Sequence, residues 1–178
     1  SKAHYEQHVA AVGAVEVDGE RLDVDGLGLR DKSWGPRYWQ AIAWYRWLPM
    51  AFGEDFAMMI SLISADGVTA AGGGMVLHGD DYHLIRQVSV ESDWDDDWYQ
   101  TALRATVSTD ERTYEVTGDV VSLIPLRNRR TTPDGEDLLT RITEGLTEYR
   151  CDGKVGWGLS EYLDQVVDGI PVGADVPI

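Results

Sequence analysis

Between Arg30 and Trp47 the chain sets four of its seven tryptophans, Trp34, Trp39, Trp44 and Trp47, among five fixed charges: Arg30, Asp31, Lys32, Arg37 and Arg46. An indole favours burial of its apolar body and a partner for its N–H, so indoles interleaved with charge serve one of two ends. They wall a pocket in which a few polar groups orient a ligand, or they plug one end of a barrel, with an arginine laid across a tryptophan and locked by an aspartate. On the pocket reading Trp34, Trp44, Tyr45 and Trp47 are walls, and Arg30 and Arg37 clamp an anion or an oxygen. Asp31 is expected to pair with Arg30 or Arg37, since nearby positive charge keeps a carboxylate ionised. Lys32 is a proton donor, or a base where desolvation lowers its pKa.

A second group opens the chain. His4, Glu6 and His8 occupy alternate positions of a strand and share one face, so Glu6 and His8 join Lys32 as candidate proton-transfer groups. No fourth ligand is evident beside them, and the lone Cys151 excludes both an intrachain disulfide and a cysteine zinc site; no metal or cofactor is expected. Glu144, Glu148 and Glu161 lie in late strands; Glu144 and Glu148 share a face, so one of these two could enter a barrel lumen as an acid, but no local pattern selects which. Gly72-Gly73-Gly74 lacks the Lys-Ser/Thr of a phosphate loop and reads as a bulge or a close backbone approach. Asp93 to Trp98 lacks the glycine and terminal glutamate of a calcium loop and reads as a solvated acidic turn.

The elements that must position these residues are strands. Alternating runs cover 5–17, 21–29, 40–48, 56–64, 70–77, 82–91, 100–108, 112–126, 138–149 and 154–163. Asp-Gly pairs at 18–19, 66–67, 134–135 and 152–153 fall where hairpin turns belong, because glycine supplies the positive φ such turns need. Only 95–103 offers a helical turn or two. The expected architecture is all-β: an antiparallel, calycin- or lipocalin-like barrel of about ten strands over residues 1–165, with the first strand tied into the sheet, followed by a loose tail, 166–178. With 31 acidic against 15 basic residues, a net charge of −16 argues against nucleic acid or an anionic membrane as partner. No apolar run is long enough to span a bilayer, and the opening residues lack a signal-peptide pattern; the expected setting is the cytoplasm.

Arg30-Asp31-Lys32-Ser33-Trp34-Gly35-Pro36-Arg37 resembles the RDHSWG-type signature of the tandem-lipocalin proteins, which include bacterial carotenoid 1,2-hydratases (hydroxyneurosporene synthases), AttH-like proteins and fungal Diels–Alderase relatives. Tyr5-Glu6-Gln7-His8-Val9, leading through a strand and a turn to that signature, resembles further bacterial members in which this stretch begins the second of two lipocalin-like halves. The resemblance implies a calycin-type barrel and a large apolar substrate of isoprenoid, steroid or polyketide type. It also implies a partner, either the other half or a second copy of the chain. The hydratases carry a histidine where Lys32 stands and draw a Tyr-x-Asp pair from a region that here reads Phe56 to Ser61. Carbocation chemistry on an alkene needs a competent acid, so the expectation is a barrel holding a bulky apolar molecule, with lyase, isomerase or cyclase chemistry by proton transfer. The alternatives are a non-catalytic lipid- or terpenoid-binding module and an architectural half of a two-barrel protein.

Overall fold

The computed structural model of the chain describes residues 3–36 and 39–174. Its elements are β1 (Ala3–Val17), β2 (Glu20–Trp34), a 3-10 turn (Trp39–Ala41), β3 (Trp44–Gly53), β4 (Phe56–Ser64), β5 (Ala71–His78), β6 (Asp81–Leu84), β7 (Gln87–Trp94), β8 (Gln100–Ser108), β9 (Thr113–Thr131), β10 (Asp137–Cys151), β11 (Lys154–Val167) and β12 (Ile170–Pro171). Aspartate followed by glycine closes three two-residue hairpins: Asp18 and Gly19 at φ 50° and 81°, Asp152 and Gly153 at 51° and 74°, and Asp168 and Gly169 at 52° and 85°. A turn that follows the right-handed twist of its strands needs positive φ at both positions, which Asp-Gly tolerates. The third turn falls in the stretch expected to be a loose tail. It returns the chain as β12 onto Val166 and Val167, so residues 166–174 belong to the fold. Asp95 Oδ1 accepts the amides of Asp97 and Tyr99, making a turn where a helical segment was expected.

All pairings are antiparallel, in two sheets. The larger runs β6-β5-β4-β3-β11-β10-β9-β8-β7, with β12 on β11, while β1 and β2 form a sheet of their own. The first strand therefore pairs with β2 alone, and not with the main sheet as the sequence suggested. The main sheet's terminal strands, β6 and β7, follow one another in the chain. Between them the Ile85 amide donates to Gly74 O at 3.0 Å and the Arg86 amide to Ser108 O at 2.7 Å, so this segment changes partner from β5 to β8. What reads in the sequence as one strand, 82–91, is broken at that switch, and among the described residues no ladder closes the sheet into the expected barrel. Gly74 has φ 134°, and a Cβ there would lie 1.9 Å from Met59 O; the glycine triplet marks a close backbone approach, as expected. Among the described residues no helix is long and apolar enough to cross a membrane.

Alternation assigns the two faces. Trp44, Arg46, Leu48 and Met50 of β3, Met58, Ile60 and Leu62 of β4, and Tyr149 and Tyr162 from β10 and β11 are buried in one core. Inside it Arg46 grips Asp164 with two parallel bonds, Nη1–Oδ2 at 3.0 Å and Nη2–Oδ1 at 3.1 Å. Its guanidinium lies 4.2 Å from the Tyr162 ring centroid, 5.3 Å from that of Trp44 and 5.6 Å from that of Trp94. Asp164 Oδ1 also accepts the Gly173 amide at 2.9 Å. The arginine laid across a tryptophan and locked by an aspartate is thus formed by Arg46, Trp44 and Asp164, inside the core and not around Arg30 and Asp31. Because removing one partner strands a buried charge, Asp164→Asn is expected to destabilise the fold by about 3–5 kcal/mol in urea unfolding, and the double variant Arg46→Met/Asp164→Leu to recover most of that loss.

Candidate functional site

With its even-numbered side chains in the core, β3 presents Tyr45, Trp47, Pro49 and Ala51 on the opposite, outer face. The β1–β2 hairpin lies against this face. Trp47 Nε1 donates to Glu6 Oε1 at 2.7 Å, and the His8 ring stacks on Tyr82 with centroids 5.9 Å apart and planes 5° from parallel. Hairpin and sheet enclose a cleft of about 220 Å³, walled by His8, Leu29, Trp47, Pro49, Trp157 and Leu159 among others. Both His8 ring nitrogens are buried without a hydrogen-bond partner. Burial lowers the imidazole's pKa, against a weaker opposing pull from the Met58 backbone, which favours the uncharged ring.

Beyond Trp47 the same face of the sheet turns acidic. Glu161 stands opposite Trp47 on β3 and opposite Glu144 on β10, so the three form a row across three strands. The Tyr45 hydroxyl donates to Glu161 Oε1. Burial pushes the Glu161 carboxyl up to about 7, against the pull of the Tyr45 bond; the Glu144 charge, a hydrogen bond to Glu144 and the Asp31 charge add to the rise. Burial likewise raises Glu144, with the Glu161 bond acting against it. Both shifts favour a proton on the pair, and the opposite signs of their mutual hydrogen bond place Glu161 on the donor side.

The register places the residues singled out in the sequence. His8 and Trp47 line the cleft, Glu6 is bonded to Trp47, and Tyr45 and Asp31 act on Glu161, the cross-strand neighbour of Trp47. Asp31 Oδ1 pairs with His4 Nε2 at 3.2 Å rather than with Arg30, because adjacent residues of a strand point to opposite faces. That same alternation carries Arg30, Lys32 and Trp34 to the hairpin's far side. There Arg30 lies 5.3 Å over Tyr5, Lys32 lies 5.2 Å over Trp34, and Trp34 is 48% exposed. Trp44 is fully buried, its indole N–H on Gly67 O, so of the three indoles expected to wall a cavity only Trp47 does. Arg37 lies outside the described residues. Trp157 and Leu159 were not anticipated; they come to the cleft through the pairing of β11 with β3, of which no local pattern speaks.

Raised folded pKa values carry a definite sign. An unfolded glutamate near 4.5 releases its proton before the folded Glu161 does near 7, so the folded state binds more protons between those values. The stability this confers is fully present below pH 4.5 and is lost as pH rises through 7, by at most about 3 kcal/mol. Urea unfolding at pH 5 and pH 8 should show the native chain losing more stability than Glu161→Gln over that interval. Equal losses would mean that Glu161 ionises normally.

No curated protein matches this sequence. Among solved structures the chain is similar to a Nitrosomonas europaea protein provisionally assigned as AttH, with a TM-score of 0.57 at 16% identity, over 90% of this chain and 50% of that one. The likeness is one of fold, and the chain spans about half the length of that structure. The model of a family described as a domain of unknown function, DUF7064, matches residues 1–166, and the chain belongs to that family.

Proposed function

We propose that this domain binds one face of a bulky apolar small molecule, of isoprenoid, steroid or polyketide type, in the cleft between hairpin and sheet, and that Glu161 serves there as a proton donor. The observation that carries the reading is a carboxyl group that keeps its proton to about pH 7 beside a wall of indole and aliphatic side chains. A general acid works best with a pKa near the working pH. Trp47 lines the cleft and is the cross-strand neighbour of Glu161, so cleft and acid meet at one side chain. Glu161 would give its proton to an alkene or oxygen of the ligand, and the Glu144–Glu161 pair, then one proton short, would take one back from an adjacent carbon. Such an exchange is proton-neutral and belongs to lyase, isomerase or cyclase chemistry.

Size bears on the partner. A cleft of about 220 Å³ falls short of the roughly 300–1,000 Å³ that encloses a drug-sized ligand, so a bulky molecule would leave much of its surface uncovered here. We read the curled sheet as a calycin-like barrel whose other half, or a second copy of this chain, completes the enclosure. The hairpin's exposed Val15 and its cross-strand partner Leu22, at 50% and 51%, are the surface such a partner would cover. A membrane or nucleic-acid partner is disfavoured by the net charge of −16.

Farnesol, titrated while tryptophan fluorescence is followed, should give saturable quenching. Trp157→Ala should weaken binding by about fivefold or more, and Trp34→Ala, on the hairpin's far side, should leave it unchanged. Glu161→Gln should retain binding but stop deuterium uptake from heavy water into the bound alkene. Absent quenching, or equal effects of the two tryptophan variants, would sink the cleft. Normal deuterium uptake by Glu161→Gln would leave a binding module without this acid.

A further inference from the structure

Glu6 and Asp31 are direct cross-strand partners in the hairpin, and Glu144 and Glu161 are direct partners in the main sheet. Like charges placed opposite one another destabilise a sheet, and here two such pairs lie near each other. Among the described residues no lysine or arginine pairs with any of these four carboxylates. Arg30 and Lys32, adjacent in sequence to Asp31, are turned to the other face of the hairpin. The nearest compensating group is an imidazole: His4 Nε2 lies 3.2 Å from Asp31 Oδ1 and 3.6 Å from Glu6 Oε1.

These separations have a second meaning. Ligand atoms held about 2.1 Å from a common ion and roughly 90–110° apart lie about 3.0–3.4 Å from one another. The two distances from His4 Nε2 fall close to that range, and the three ligand atoms all lie within 4.8 Å of one another. The Glu6 side chain is only 10% exposed and is oriented by the Trp47 indole, whose N–H occupies one lone pair of Oε1 and leaves the other free. A carboxylate fixed by an outer hydrogen bond is how proteins aim a metal ligand. His4 and Asp31 are open to solvent at 45% and 36%, which leaves a path of entry and room for water ligands.

We propose that His4, Glu6 and Asp31 bind one first-row divalent cation, such as Zn²⁺ or Mn²⁺, on the sheet-facing side of the hairpin. One imidazole nitrogen and two carboxylate oxygens suit such an ion better than the all-oxygen preference of calcium or magnesium. By alternation along β1 alone, His4 and Glu6 group with His8 and lack a further ligand. In the folded chain Asp31 enters from the opposite strand, while His8 turns into the cleft. The ion would neutralise the opposed Glu6–Asp31 pair and fasten the hairpin at Trp47 through Glu6. This site uses ligands other than the acid proposed above, so either reading can fail alone.

The full chain, stripped with EDTA and dialysed, is titrated calorimetrically with Zn²⁺. One saturable equivalent is expected, weakened at least about tenfold by His4→Ala and by Asp31→Asn and unchanged by His83→Ala, whose imidazole sits 3.5 Å from Glu111 elsewhere in the fold. Paramagnetic Mn²⁺ added to the native chain should broaden the His4 imidazole proton resonances before those of His83, a readout that needs no variant to fold. Absence of a saturable equivalent, equal effects of His4→Ala and His83→Ala, or equal broadening of the two imidazoles would overturn the site.

Discussion

The bidentate bond between Arg46 and Asp164 constrains the rest of the molecule. It joins β3 to β11 inside the core, and through the Gly173 amide it holds the segment after β12 against the same point. A guanidinium out of water needs carboxylate oxygens for its charge and polarisable faces around it, and Trp44, Trp94 and Tyr162 supply those faces. A Cβ at residue 173 would lie 2.4 Å from Arg46 Nη2, so the close approach of that segment depends on glycine. The interior side of β3 is thereby filled with side chains that stabilise the fold. The β1–β2 hairpin and the outer face of β3 and β11 enclose the apolar cleft instead, placing the candidate chemistry outside the core.

Chemistry on that outer face comes from register. Trp47, Glu161 and Glu144 lie many residues apart in the chain and are lateral neighbours only because β3, β11 and β10 pair as they do. Two carboxyls facing each other in a partly buried row cannot both ionise near neutrality without cost, and one retains its proton. The same pairing delivers the apolar wall, since Trp157 and Leu159 alternate with Glu161 along one strand. Acid and wall are thus consequences of a single alignment. A one-residue slip of β11 would send Glu161 into the core and Tyr162 into the cleft.

Much of the hairpin was legible in the sequence. Asp18-Gly19 as a two-residue turn fixes every pair in β1 and β2, so Glu6 must face Asp31 and His4 must face Ser33. Taken one step further, that turn would have separated Asp31 from Arg30 and Lys32, whose proximity in sequence suggested a common role. Adjacent strand residues point apart, and Arg30 and Lys32 ended against Tyr5 and Trp34. The third-strand tryptophans divide in the same way: Trp44 and Trp47 are three residues apart, an odd step, so one is core and the other wall. Ladder closure was not legible, because it depends on the partner switch at Ile85 and Arg86, where two amides choose different strands. The sequence pointed to Glu144 or Glu148 and not to Glu161 for a related reason, the neighbours of Glu161 being set by long-range pairing.

The hairpin and the main sheet share no hydrogen-bonded ladder, and their attachment rests on side chains such as Glu6 on Trp47 and His8 on Tyr82. An isolated two-stranded ribbon is marginally stable in water, so the order of β1 and β2 depends on how well that seam is filled. The seam is where the cleft lies, with an unpartnered imidazole on one side and half-exposed Trp157 on the other. Anything that occupies the cleft adds contacts to both bodies at once, and by linkage it must stabilise the hairpin by as much as the ordered hairpin improves its binding. The hairpin also reaches the acid pair: the Asp31 charge, carried on β2, is among the influences that raise the Glu161 carboxyl.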